Sequence, residues 1–228
     1  MRRILKQILL TAAVSVILAA CGCPSYTRKA ECRDFIAGKT SAWSDGSGVR
    51  QIIFVFGTEG SQAEVLLMTR RPDGKWKKAL ACDAFIGRNG LGKTREGDGK
   101  TPVGDFGIIT AFGIKPNPGT ALPYLDVTPD LYCCGDSVAY NRFIDISEYP
   151  HKCEGEHMIE YVPSYNYGFF PDYNAECVFG LGSAIFFHCT GSKPYTAGCV
   201  AVSEKNMVRI LKAIDNSARL VIDYMPGK

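Results

Sequence analysis

His188 and Cys199 stand eleven positions apart, separated by a glycine-containing loop. A cysteine thiol has a pKa of about 8.5 and attacks only as thiolate, so a nucleophilic cysteine needs a neighbour that takes its proton. Imidazole does this near neutral pH, and only His151, His157 and His188 are on offer. The apolar run 183–187 reads as a buried strand that delivers His188 at its end. Residues 196–199 read as a tight turn entering a second apolar run, so the pair can converge. Gly198 lets a substrate approach the backbone, and amides at such a turn offer an oxyanion site. The implied chemistry is covalent catalysis by a thiol. Against it stands the usual fate of a cysteine in an exported chain, which is to be buried or bridged.

Two other patterns invite chemistry. Residues 87–94, GRNGLGKT, satisfy the phosphate-binding pattern G-x-x-x-x-G-K-[ST] and follow an apolar strand. That motif works only where a helix begins at the loop, and the following REGDGKTPVGDFG is broken by glycines and proline. It is read as a glycine-rich connection. His151, Cys153, His157 and Cys177 suggest a metal set, but the paired C-x-x-C spacing of a structural zinc site is missing. No metal or organic cofactor is expected.

The elements that must position the pair are mostly strands. Residues 51–56 and 63–69 are β-rich runs around a glycine-containing turn and read as a hairpin, with 76–86 as a third strand. Ser203 caps a helix over 204–215 that carries Met207, Ile210, Leu211 and Ile214 on one face, and 219–224 is a final strand. Residues 111–182 are rich in Pro, Gly, Tyr and Asn and yield no clear elements. On a strand, Cys189 points away from the face of His188, which makes it a bridge partner rather than a nucleophile. Adjacent Cys133 and Cys134 call for different partners.

Residues 1–20 have the layout of an export signal: Arg2, Arg3 and Lys6, an apolar core from 8 to 18, then small residues. Leu18-Ala19-Ala20-Cys21 matches a bacterial lipobox, which makes Cys21 the lipidated N-terminus and the membrane the anchor. Removing 1–20 leaves basic and acidic residues equal in number, which argues against nucleic acid as a partner. Residues 21–48 read as a tether, pinned by a Cys23–Cys32 bridge, and 49–228 as one domain. With Cys21 lipidated and Cys199 catalytic, eight of the ten cysteines remain, enough for up to four disulfides.

Several motifs together resemble one family. SAIFFH at 183–188 and YTAGCVAVSE at 195–204, GKTREGDGKTPVGDFGI at 92–108, NPGTALPY at 117–124 and GEHMIEYVPSYNYG at 155–168 resemble, in order, the L,D-transpeptidase catalytic domain of YkuD type. The resemblance spans about residues 50–225. It implies a mainly β fold, a β-sandwich with one or two short helices and long loops. It implies Cys199 as nucleophile, His188 as general base, Gly198 and neighbouring amides as oxyanion site, Thr196 as the hydroxyl ordering the loop and His157 as a pocket residue. The substrate it implies is the stem peptide of peptidoglycan. Two positions depart from the family: Ala197 stands where a second histidine is usual, and Ala201 where Arg or Asn is common. The departures keep open a hydrolase or amidase on the same fold. A non-catalytic, disulfide-stapled lipoprotein with Cys199 bridged is the other reading.

Overall fold

The computed structural model describes residues 30–43 and 46–227. The expected signal, the lipidation site Cys21 and Cys23 lie outside the described residues.

The hairpin forms as expected from β1 (Gln51–Gly57) and β2 (Gln62–Arg70), and β3 (Trp76–Phe85) joins β2 antiparallel. The final strand, β13 (Ala218–Tyr224), lies parallel to β1 on its other side. β3 continues through β12 (Val200–Val202), β11 (Phe187–Cys189), β10 (Gly168–Pro171), β5 (Ile108–Gly113) and β6 (Tyr124–Asp126); β4 (Gly104–Phe106) completes a ten-stranded sheet beyond β13. β13 and β5 stand near opposite ends of that order yet touch, so the sheet curls over itself as a sandwich. Ile53, Val55, Val65 and Leu67 from one half share a core with Ala111, Phe169 and Phe187 from the other. Helix α2 (Glu204–Ala213) packs into that core through Met207, Ile210 and Leu211. Its cap is the expected one, with Ser203 Oγ accepting from Asn206 N at 3.4 Å.

Residues 111–182, illegible in the sequence, contain strands of only three or four residues. β7 (Leu131–Cys134), β8 (Arg142–Asp145) and β9 (Gly155–His157) form a separate three-stranded sheet with β7 in the centre. A disulfide ties Cys134 to Cys153 across it. Two cysteine expectations are corrected. Cys133 keeps its thiol, buried opposite Glu156, and Cys189 is a buried thiol that donates to Tyr167 O at 3.4 Å.

The stretch expected as tether is also corrected. Residues Ala30–Ala42 form helix α1, in which Cys32, Phe35, Ile36 and Thr40 recur at helical spacing. Phe35 meets Phe54 and Phe56 edge-on with ring centres 6.4 and 5.9 Å away, and Lys39 pairs with Asp105 at 2.7 Å. The helix therefore covers the outer face of β1, which would otherwise expose phenylalanine to water. Phe35→Ala should cost about 2 kcal/mol of stability, measured by urea unfolding, since a half-buried aromatic loses both area and ring contacts. A free tether would predict almost no change.

Candidate active site

β11 and β12 run side by side and parallel, with His188 opposite Ala201. Cys199 precedes β12 by one residue, so the register brings the two side chains to one cleft of about 280 Å³, which Tyr161, Tyr165 and Lys193 also line. Alternation along β11 acts as expected: His188 faces the cleft and Cys189 the opposite core.

His188 is buried, and its Nδ1 lies 2.7 Å from the Cys189 carbonyl oxygen. A carbonyl only accepts, so Nδ1 carries the proton and Nε2, without a partner among the described residues, is the basic nitrogen. Burial pushes the imidazole pKa down to about 4, only partly offset by that carbonyl, so the ring is neutral at pH 7. Tyr165 buttresses it edge-on at 5.4 Å.

The Cys199 thiol does not bond to His188. Its Sγ donates to Ala184 O at 3.1 Å and accepts from Phe186 N at 3.2 Å. This explains a difference from expectation: of the run 183–188, only the end is regular strand, because the backbone of Ala184 and Phe186 is turned to the Cys199 sulfur. Ala184 holds a left-handed φ of 51° while its N–H donates to Asn141 Oδ1. Glu96 fixes the neighbouring residue by accepting from both Ser183 N and Ser183 Oγ. Burial, with Glu156 adding to it, pushes the thiol up to about 12. The pair is therefore thiol and imidazole, not an ion pair, and the thiol faces Ala184 rather than Nε2.

The turn before Cys199 is held through one oxygen. Thr196 Oγ1 donates to Cys199 O at 2.7 Å and accepts from Gly198 N at 3.1 Å. Thr101 Oγ1 donates to the same carbonyl at 3.1 Å and accepts from Gly87 N at 2.8 Å. Thr196, expected to order the loop, bonds to both Gly198 and Cys199 of that turn, whereas Thr101, inside GKTREGDGKTPVGDFGI, was missed. Gly198 N–H is engaged by Thr196, which differs from its expected role; in this turn the amides of Ala197 and Cys199 have no partner among the described residues. The need for glycine at 198 is steric: a Cβ there would lie 2.9 Å from Ile185 Cδ1 and 3.0 Å from Lys100 O.

A second cavity, about 250 Å³, also reaches Cys199; Arg88, Lys93, Glu96, Cys133 and Gly198 line it. Cys199, Ala197 and Glu156 belong to both cavities. The glycine-rich loop rejected as a phosphate site therefore walls the site instead. Lys93 is buried against Asp98 at 3.0 Å. Burial alone would raise the Asp98 carboxyl, but amides of Thr94, Lys100 and Arg95 together with Lys93 hold it far below its usual range.

His157 is corrected. It lines neither cavity; Nε2 lies 2.6 Å from Pro129 O, Nδ1 3.0 Å from Glu160 Oε1, and the ring stacks on Tyr132 at 4.4 Å. The carbonyl, and to a lesser degree Glu160, raise its pKa, as fits a ring donating from both nitrogens. Strand alternation is the reason: β9 turns His157 outward and its neighbour Glu156 inward, opposite Cys133 on β7. The alternation within GEHM was the available signal for Glu156. Nor do His151, Cys153, His157 and Cys177 assemble among the described residues: Cys153 is disulfide-bonded and His151 pairs with Asp136 at 3.0 Å.

Two outcomes are expected. Iodoacetamide should alkylate Cys199 in the substrate-free protein at least about tenfold more slowly than a free thiol at pH 8, with the rate still rising at pH 10, because a raised pKa leaves little thiolate; a plateau below pH 8 would instead indicate a resting ion pair. Asp98→Asn, which leaves Lys93 buried and unpaired, should lower stability by about 3 kcal/mol in urea unfolding.

The L,D-transpeptidase catalytic domain, YkuD, matches residues 63–222. No curated protein matches the chain at a significant level. The matched span holds His188, Cys199 and both cavities, and with a mainly β fold around them the chain belongs to the L,D-transpeptidase catalytic domain family.

Proposed function

We propose that the protein is a cell-wall L,D-transpeptidase that works through a thioester on Cys199. The observation that supports this most is the unbridged thiol and the His188 imidazole on one cleft, with unengaged amides beside the thiol. The Cys199 sulfur attacks the carbonyl of the L-centre in an L,D peptide bond of a stem peptide, and His188 Nε2 takes the thiol proton. The amides of Cys199 and Ala197 receive the oxyanion. On collapse the C–N bond breaks, His188 returns the proton to the departing D-alanine nitrogen, and the thioester remains. An amine from a neighbouring stem, on the side chain of diaminopimelate, then displaces Cys199 and makes the crosslink; with water in its place the product is a tripeptide.

Ala201 cannot hold a substrate carboxylate, but Lys193 lines the same cleft and supplies a cation there. The hydrolytic reading rests on Ala197 and Ala201 alone. Two cavities sharing the nucleophile favour transfer, because a thioester that meets a second substrate needs a second approach. Export and lipid anchoring at Cys21 belong to this proposal, placing the enzyme at the membrane facing the periplasm or wall. They are supported by the order of residues 1–21 and by the Cys134–Cys153 disulfide, a bond at home in an oxidising compartment.

Purified tetrapeptide stem incubated with the protein should yield crosslinked dimers lacking one D-alanine, read by mass spectrometry, and none with Cys199→Ala. Tripeptide without dimers would make the enzyme a carboxypeptidase, and the absence of both would remove the substrate assignment.

A further inference from the structure

The second cavity carries four charged side chains, two of which are already committed. Lys93 is paired with Asp98, and Glu96 accepts from Tyr140 and Ser183. Arg88 and Glu156 remain, opposite in sign, with no ion-pair partner among the described residues. Arg88 is exposed, at the loop; Glu156 projects from β9 into the space beside Cys199, its carboxylate accepting from the Tyr165 hydroxyl. The setting of Glu156 is built rather than incidental. Gly155 lets β9 lie so close to β7 that a Cβ there would come 2.1 Å from the Cys133 carbonyl oxygen, and this close pairing turns Glu156 inward. Burial, reinforced by Glu96 and opposed by Tyr165, pushes the carboxyl up to about 7, so it can both hold and release a proton at neutral pH.

We propose that this cavity is the acceptor site and that it takes the zwitterionic end of an amino acid, with Glu156 receiving the ammonium and Arg88 the carboxylate. The inference rests on the transpeptidase reading and deepens it. Chemically, an acceptor arrives as R–NH₃⁺ and cannot attack until it loses a proton. Glu156 takes that proton; the neutral amine then attacks the thioester carbonyl, the C–N bond forms and the C–S bond breaks. Cys199 leaves as thiolate and regains a proton from the attacking nitrogen through His188, while Glu156 releases its own to solvent. A carboxylate here favours amine over water, because water carries no charge for it to hold.

The test is the partition of the thioester between amine and water. The protein is acylated with tetrapeptide stem, then offered a free D-amino acid or the same compound as its amide, which lacks the carboxylate. Products of transfer and hydrolysis are counted by mass spectrometry. Glu156→Gln should lower the transfer-to-hydrolysis ratio about tenfold with either acceptor, while the thioester still forms. Arg88→Ala should abolish the preference for the acid over the amide. Ratios equal to wild type in both variants overturn the inference, as does a parallel fall of acylation and transfer in Glu156→Gln, which would place Glu156 with the thiol. If Glu156→Gln does not fold, Arg88→Ala at its exposed position decides the matter: a retained acid preference overturns the site. Wild-type protein that acylates but transfers to no amine overturns this inference alone; wild-type protein that never acylates removes the transpeptidase reading beneath it.

Discussion

One carbonyl oxygen organises the site. Cys199 O accepts from two buried hydroxyls, Thr196 and Thr101, and each hydroxyl accepts in turn from an amide of a different segment, Gly198 and Gly87. The turn before the nucleophile, the glycine-rich loop and the start of β12 are thus locked to one point. Each bond is worth about 1 kcal/mol net, but either hydroxyl left unpaired in the interior would cost about 1–3 kcal/mol, so the arrangement is hard to loosen in part. The parallel register of β11 and β12 then brings His188 alongside, and the Thr196 bond to Gly198 decides which amides stay open to substrate.

The small sheet supplies the other half of the design. β7 and β9 pair so that one face carries Cys133 and Glu156 toward the thiol, and the other carries Tyr132 and His157 as a stacked, hydrogen-bonded clamp. The Cys134–Cys153 disulfide sits at the edge of the same ladder. A cavity-lining residue, Glu156, and a scaffolding residue, His157, are therefore neighbours on a single three-residue strand.

This alternation also marks the limit of what the sequence disclosed. The hairpin, β3, α2 and β13 were legible because each is a run of seven residues or more, β-rich in the strands and apolar on one helical face in α2. The meeting of His188, Cys199 and Thr196 at one cleft was legible because it depends on local spacing. The strands of the middle region are too short to show a period, so the orientation of Glu156 against His157 was hidden, and His157 was expected in the pocket on the resemblance alone. Thr101 and Asn141 were hidden for another reason. Their partners, Cys199 and Ala184, are distant in sequence, and no local pattern records a hydrogen bond across so many residues. α1 escaped notice because its apolar stripe is thin and broken by Gly38, although the exposed aromatic face of β1 required a cover.

The Cys199 thiol is turned to Ala184 and the His188 imidazole is neutral at pH 7. On the proposed mechanism, the burial that raises the thiol makes its activation depend on substrate filling the cleft and turning it toward His188. The central claim is that this thiol becomes an acyl carrier. Intact-mass spectrometry of protein quenched in acid after brief mixing with tetrapeptide stem, followed by peptide mapping, tests it directly: the account predicts an adduct of stem minus D-alanine on the peptide containing Cys199, and an unmodified Cys199 while product accumulates would contradict it.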